Sequence, residues 1–437
     1  GMLTEALSIY SHAEGYLTTV TIDAHKGHVE GHLSTVSGET AHAEGHDTLA
    51  SGNYSHSQGY ETTASGEASH AEGKNTTASG ETSHSEGHTT TASGNYSHSE
   101  GFETTASNEA SHAEGYDTTA SGAYSHAEGF GTSALESSSH AEGKGTVATL
   151  QYSHAEGFET SANGVASHAE GNNTIASGPA SHAEGDGTEA SGDHSHAEGL
   201  NTEASGTASH ASGVSTQATG KASIATGEGS KSRVHAQWSH GSIMHNGLNT
   251  LQRSIYLLEA ETGIMSNNTD TAWAETTAKI SVNGTDEEIM IPHQGVWGIS
   301  VRILQKNALG AAYFDSSTTM IYAYCTPGQI SFSDNVAGGR INSTSSTDFI
   351  EIKTSGLYDN TTTDNGIFST NNWPTNGFMI SGMESAMKLQ RETTTVAGYE
   401  ILQIKVAADT SNTSLATAAL HTTWGIEVTT LEMNPNI

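Results

Sequence analysis

The chain has 437 residues, with 15 Lys and Arg against 49 Asp and Glu, for a formal charge of -34. That length leaves room for two or three domains, and only six of the basic residues precede position 241, so the first half has no basic face to offer nucleic acid. A single cysteine, Cys325, excludes a disulfide framework and a cysteine zinc cluster, and no run of about 18 apolar residues is present to insert in a membrane as a helix.

Taken from its start, the chain shows no basic-then-apolar signal peptide, and Gly1 ahead of Met2 reads as an expression remnant. A pentapeptide then takes over. It reads Ser69-His70-Ala71-Glu72-Gly73, Ser125-His126-Ala127-Glu128-Gly129 and Ser195-His196-Ala197-Glu198-Gly199, and it returns every 14 residues. Its histidines stand at 28, 42, 56, 70, 84, 98, 112, 126, 140, 154, 168, 182, 196 and 210, with His12 an earlier copy offset by two extra residues. A short fixed period is the signature of a solenoid. Abundant Gly, Ser and Thr would also suit a disordered linker, but such a linker has no reason to hold a strict register.

Each unit divides into two extended runs of about five residues and two turns. The first run is Ser-His-Ala-Glu, closed by Gly; the second is Thr-x-Ala-Ser, closed by a glycine such as Gly66, Gly80 or Gly94. Both glycines are expected to supply the positive φ of a tight corner. Strand alternation places Ser69 and Ala71 on one face and His70 and Glu72 on the other. A two-layer coil is too thin for large side chains, so the small residues line its inside and the His and Glu point outward, stacked at about 4.8 Å.

The outward column is the candidate site: His42, Glu44, His70, Glu72, His84, Glu86, His98, Glu100, His112, Glu114, His126, Glu128, His140, Glu142, His154, Glu156, His168, Glu170, His182, Glu184, His196 and Glu198. The residue two after each Glu drifts freely, as Tyr60, Lys74, His88 and Phe102 do, whereas the His never changes between these copies and the Glu does so rarely, at Gln58 and Ser212. A solvated face tolerates drift and a repeated neighbour does not, so the column is expected to pack on other copies of the chain. A row of ionised Glu would repel itself, and protonated or hydrogen-bond-donating His beside each one offsets that. Imidazoles from three chains around an axis could also ligate Zn²⁺ or Ni²⁺; the plainer alternative, a His–Glu hydrogen-bonded seam without cofactor, is the one favoured.

The repeat resembles the head repeats of the YadA-like trimeric autotransporter adhesins, which carry Ser-Val-Ala-Ile-Gly where this chain has Ser-His-Ala-Glu-Gly. The chain drifts towards that form at Ser223-Ile224-Ala225-Thr226-Gly227. The resemblance spans about residues 10–240. It implies an all-β fold, a left-handed parallel β-roll of 14-residue repeats, trimeric, with the His and Glu positions at the trimer centre. The family's apolar seam has become polar here. No sustained heptads and no terminal anchor strands are visible, so anchoring by the family's route is not expected.

The repeat stops near His235, and larger apolar residues begin. Residues 1–234 are read as the roll, 235–252 as a cap or connector that covers the last coil, and 253–437 as a β-rich C-terminal domain. His235, His240 and His245 lie off register and are assigned to the cap. Alternating runs occur at Trp297, Ile299, Val301 and Ile303, at Leu402, Ile404 and Val406, and at Trp424, Ile426 and Val428. Further strand-like runs occur at Ser254 to Leu258, Ala278 to Val282, Glu287 to Ile291, Thr319 to Tyr324 and Phe349 to Lys353. Short strands between polar turns suggest a β-sandwich. The stretches Val296 to Arg302 and Thr423 to Val428 resemble C-terminal domains of phage tail-fibre proteins.

No catalytic motif is present: no Gly-x-Ser-x-Gly elbow, no His-Glu-x-x-His and no phosphate loop. The expectation is a non-enzymatic homotrimeric fibre, extracellular on a virion or cell surface. A phage or prophage tail-fibre component that binds a host receptor, glycan or protein, is placed first. The alternatives are a bacterial surface adhesin lacking its membrane anchor, and a glycan depolymerase in the C-terminal domain, since paired carboxylates are plentiful and their separation is invisible in sequence. The aromatics Tyr60, Phe102, Tyr116, Phe130 and Phe158 share one turn position. They either bind sugar or protein, or cover the corner of the roll.

Overall fold

The computed structural model describes residues 1–245 and 248–262, and beyond them a set of strands between Thr276 and Met433; side chains are described for residues 1–241, 251–256 and 430. It is all β, with no helix among the described residues. Packing divides the chain into Gly1–Ala204 and Ser205–Ile437.

The first unit is a parallel β-solenoid. Each coil carries one five-residue strand and one two-residue strand, for example His70–Lys74 and Thr77–Ala78. Long strands pair in parallel with their copies one coil on, His70 with His84 and Glu72 with Glu86. Short strands pair likewise, Thr77 with Thr91. The corners are tied across coils too: the Asn75 N–H donates to the Tyr60 carbonyl and the Thr82 N–H to the Glu67 carbonyl, at 2.9 and 2.7 Å. The irregular first copy obeys the same register, His12 opposite His28. Its two extra residues are absorbed in the corner at 21–27, where the Ala24 N–H bonds the Thr21 carbonyl and the Ala24 side chain turns into the core.

The interior is built of alanine, serine and threonine, and Val20 is the largest fully buried side chain. Ala71, Thr76 and Ala78 are wholly enclosed and Ser69 nearly so, whereas His70 and Glu72 are half-exposed, as strand alternation requires. The small residues follow from the thinness of the coil.

Three expectations about the coil are corrected. The repeat's first glycine does not close the long strand but lies inside it: His70, Ala71, Glu72, Gly73 and Lys74 are all strand. The second run is only two residues long. The second glycine, moreover, does not carry the positive φ. The left-handed positions are Glu61 (φ 54°) and Ala68 (φ 53°), repeated as Asn75 and Thr82 one coil on. Gly66 makes a different close approach: a Cβ there would overlap the carbonyl of Gly80 on the next coil, and where other coils carry Asn108, Glu136 or Leu150 at this position the corner must give way. Gly73 has both constraints, with φ 114° and a Cβ position that overlaps the Gly87 carbonyl.

The second unit opens with the same geometry. Ile224–Glu228 pairs in parallel with His210–Val214, and Trp238–His245 pairs in parallel with Ile224–Glu228. The structural register therefore runs on to Gly241. His240, expected to be off register, occupies the Glu slot opposite Thr226, and its Nδ1 lies 3.0 Å from the Thr226 hydroxyl. Leu248–Thr262 returns antiparallel to Trp238–His245. Among the described side chains, two glutamines finish the last coil. Gln252 accepts from the Lys231 N–H and donates to the Lys231 carbonyl. Gln237 accepts from the N–H groups of Arg233 and Val234 and donates to the hydroxyl of the buried Tyr256. Amide side chains thus satisfy backbone groups that no further coil reaches.

Further on, Leu248–Thr262 pairs antiparallel with Thr422–Met433, which pairs antiparallel with Val296–Asn307. The runs Val296 to Arg302 and Thr423 to Val428 are thus neighbours, Val301 opposite Val428. A separate set joins Glu384–Glu392 to Phe349–Ile352 and to Tyr399–Asp409. The expected packing of two sheets into a sandwich rests on side chains outside the described residues.

Candidate functional site

All 22 predicted site residues lie on long strands of the first unit. Each His is at the first position and each Glu at the third, so strand alternation puts them on one face. The imidazoles form a stack. Ring centroids of His70 and His84 are 4.9 Å apart with planes 3° apart, and those of His168 and His182 are 4.7 Å apart at 4°. The stack runs from His28 to His196, with one tilted step of 36° between His126 and His140. The spacing is that of adjacent strands, so the backbone ladder dictates it.

Each Glu lies beside the His of its own coil. The Nε2–Oε2 distance is 3.7 Å for His70 and Glu72, 3.9 Å for His126 and Glu128, and 3.4 Å for His154 and Glu156. Glu170 reaches two coils: Oε2 lies 3.9 Å from His168 and Oε1 lies 3.8 Å from His182. None of these pairs is a hydrogen bond. The Nε2 atoms of His70, His84, His98, His112, His126, His140, His154, His168 and His182 are sealed from solvent with no hydrogen-bond partner.

The electrostatic expectation is corrected. Burial pushes the imidazoles of His42, His56, His70, His98, His112, His140, His154 and His168 below the usual histidine range, and neighbouring imidazoles push the same way. The carboxylates pull upward but lose. A row of His⁺ beside Glu⁻ is therefore not the resting state at neutral pH. For these eight rings desolvation and the repulsion of stacked charges both favour the neutral form.

The drifting aromatics sit at the last residue of the long strand, not at a turn. They form a second ladder: His46 on Tyr60 at 4.8 Å, then His88, Phe102, Tyr116 and Phe130 at 4.8–4.9 Å. Lysines extend it, Lys74 over Tyr60 at 5.8 Å and Lys144 over Phe158 at 5.3 Å. The ring faces cover one another, so a sugar that needed a free face to stack on would meet only edges. The bridging role of Glu170 and the His240 slot were missed in the sequence; counting on by fourteen from Ser212, through Thr226, would have found the latter.

Three groups of close donors lie along the column: His154, Glu156 and His168; His168, Glu170 and His182; His182, Glu184 and His196. A fourth, Glu30, His42 and Glu44, lies near the start.

With this geometry in hand, the repeat can be placed. It is a 14-residue parallel β-solenoid, and residues 57–83, 71–97, 155–181 and 169–195 each match the family described as YadA head domain repeat (2 copies). The chain thus carries YadA head repeats. No curated protein matches it, and no comparison supports the expected tail-fibre likeness.

Proposed function

We propose that the chain is the subunit of an adhesin-like, surface-exposed homotrimeric fibre whose His/Glu face packs against two further copies. The observation that carries this reading is the row of enclosed Nε2 atoms without a partner in their own chain. Leaving one such group unsatisfied costs on the order of 1–3 kcal/mol. Repeated on coil after coil, that cost marks a face under-satisfied by its own chain, and the half-exposed rings and carboxylates beside those atoms are what a neighbouring chain can cover. Two further features support it. An interior of Ala, Ser and Thr buries little apolar area per coil, so association adds what the lone coil lacks. The matched repeats, moreover, are those of adhesin heads, which are typically trimeric.

The work of such a fibre is adhesion to a host-surface glycan or protein. Three weak sites on one rod act together and raise avidity without new contacts. A phage or prophage tail-fibre component is the form placed first, on the strand runs at Val296–Asn307 and Thr422–Met433; a bacterial surface adhesin is second. No catalytic role is assigned, and release of glycan fragments by the purified protein would reopen the depolymerase alternative. Light scattering on the purified chain is the direct test. A mass near three times 45.3 kDa is expected. A monomer would sink both the seam and the avidity argument.

A further inference from the structure

We propose that His168 is the shared ligand of a divalent transition-metal site, completed either by His154 and Glu156 or by Glu170 and His182. Within each group the donor atoms lie within 4.8 Å of one another. An ion held tetrahedrally at roughly 2.0–2.1 Å from each donor needs donors about 3.4 Å apart. His154 Nε2 and Glu156 Oε2 already stand at 3.4 Å. The third donor must close by about 1.4 Å, which half-exposed side chains can do by small rotations within their rotamer wells.

Three observations support a site here. First, the Nε2 atoms of His154, His168 and His182, like others along the column, have no hydrogen-bond partner in their own chain, so ligation breaks no bond within it. Second, the Glu170 carboxylate is well enclosed: its side chain is 33% exposed, against 39% for Glu30 and 46–48% for Glu72, Glu86, Glu100 and Glu114. Third, Glu170 directs its two oxygens to imidazoles on successive coils. Two imidazoles and one carboxylate suit Zn²⁺, Co²⁺ or Ni²⁺, whereas Ca²⁺ and Mg²⁺ require oxygen donors. Because His168 has one Nε2, the two groups exclude each other and together take one ion per chain.

This inference goes beyond the trimer reading and is separable from it. All three donors come from one chain, so a monomer in solution leaves it standing. The test is titration of the metal-free full chain with Zn²⁺ by calorimetry, with Co²⁺ absorption as a second readout of ligand geometry. Wild type is expected to bind one equivalent more than His168→Asn; ions held at other groups cancel in the comparison. The Glu156→Gln/Glu170→Gln pair leaves the imidazole stack intact and decides the matter if His168→Asn fails to fold. It is expected to weaken that equivalent at least about tenfold. Equal stoichiometry and affinity in wild type and the Gln pair would overturn the site.

Discussion

His98 and His112 stack face to face, their ring centroids 4.8 Å apart and their planes 3° apart; His98 helps push the His112 pKa down, and His84 does the same to His98. Both imidazoles are held below their unfolded value of about 6.5, first by burial and then by neighbouring rings, against the upward pull of Glu86, Glu100 and Glu114. Between the lowered folded value and the unfolded one, the unfolded chain binds more protons. Stability is therefore full above about pH 6.5 and falls as pH drops through that window. The melting temperature by circular dichroism should decline from pH 7 towards pH 5, and less steeply in a His98→Gln/His112→Gln variant. A profile as steep in the variant as in wild type would mean the imidazoles are not the cause.

Glycine at two positions should respond very differently to substitution. Gly73→Ala meets both a φ of 114° and the Gly87 backbone, so it should cost at least about 2 kcal/mol. Gly131 has a φ of 65° with nothing within 4 Å of a built Cβ. The equivalent positions hold Asp117 and Asn173, also left-handed. Gly131→Asn should then stay within about 0.5 kcal/mol of wild type. Urea midpoints of the two variants decide, and equal costs would contradict the stacking geometry.

The core contains a paired pattern that a mutation series can read. Where the long strand has an inward serine, its hydroxyl bonds a threonine hydroxyl: Ser57 with Thr62, Ser85 with Thr90 and Ser99 with Thr104, at 2.7–2.8 Å. Where alanine stands instead, as at Ala113, Ala127 and Ala141, the hydroxyls of Thr118, Thr132 and Thr146 have no hydrogen-bond partner. Ser99→Ala should cost about 1 kcal/mol, and Ser99→Ala/Thr104→Val should recover most of it. If the double variant is the less stable of the two, the hydroxyl pair is not what the serine provides.

The polar seam can be exchanged for an apolar one. His126→Val together with Glu128→Ile installs the residue types of the adhesin heads, and it should leave the oligomer as stable or more so. His126→Ala alone strands a carboxylate and breaks the ring stack, so it should be the costlier change, by about 1–3 kcal/mol. Dissociation in urea, followed by light scattering, ranks the two; the opposite order would place the column outside any interface.

Much of this was legible early because the repeat is short. Fourteen residues with two glycines leave room only for strands and tight corners, and alternation then sorts Ala71 inward and His70 outward without further information. The glycines were harder. Gly66 looks like a corner residue in sequence, but its constraint comes from a coil fourteen residues away, and the left-handed backbone falls on Ala68, which no local rule favours. His240 was hidden because the pentapeptide around it had changed while the backbone ladder continued.

The sequence by itself determined the solenoid, its period, the small core and the outward His/Glu column, since each follows from spacing and side-chain size. Only the tertiary structure decided the charge state and the partners of that column. Stacking at 4.8 Å and enclosure of Nε2 are distances between coils, and they leave imidazoles such as His98 and His112 with lowered pKa and no hydrogen bond at Nε2 where the sequence suggested a His–Glu hydrogen-bonded seam.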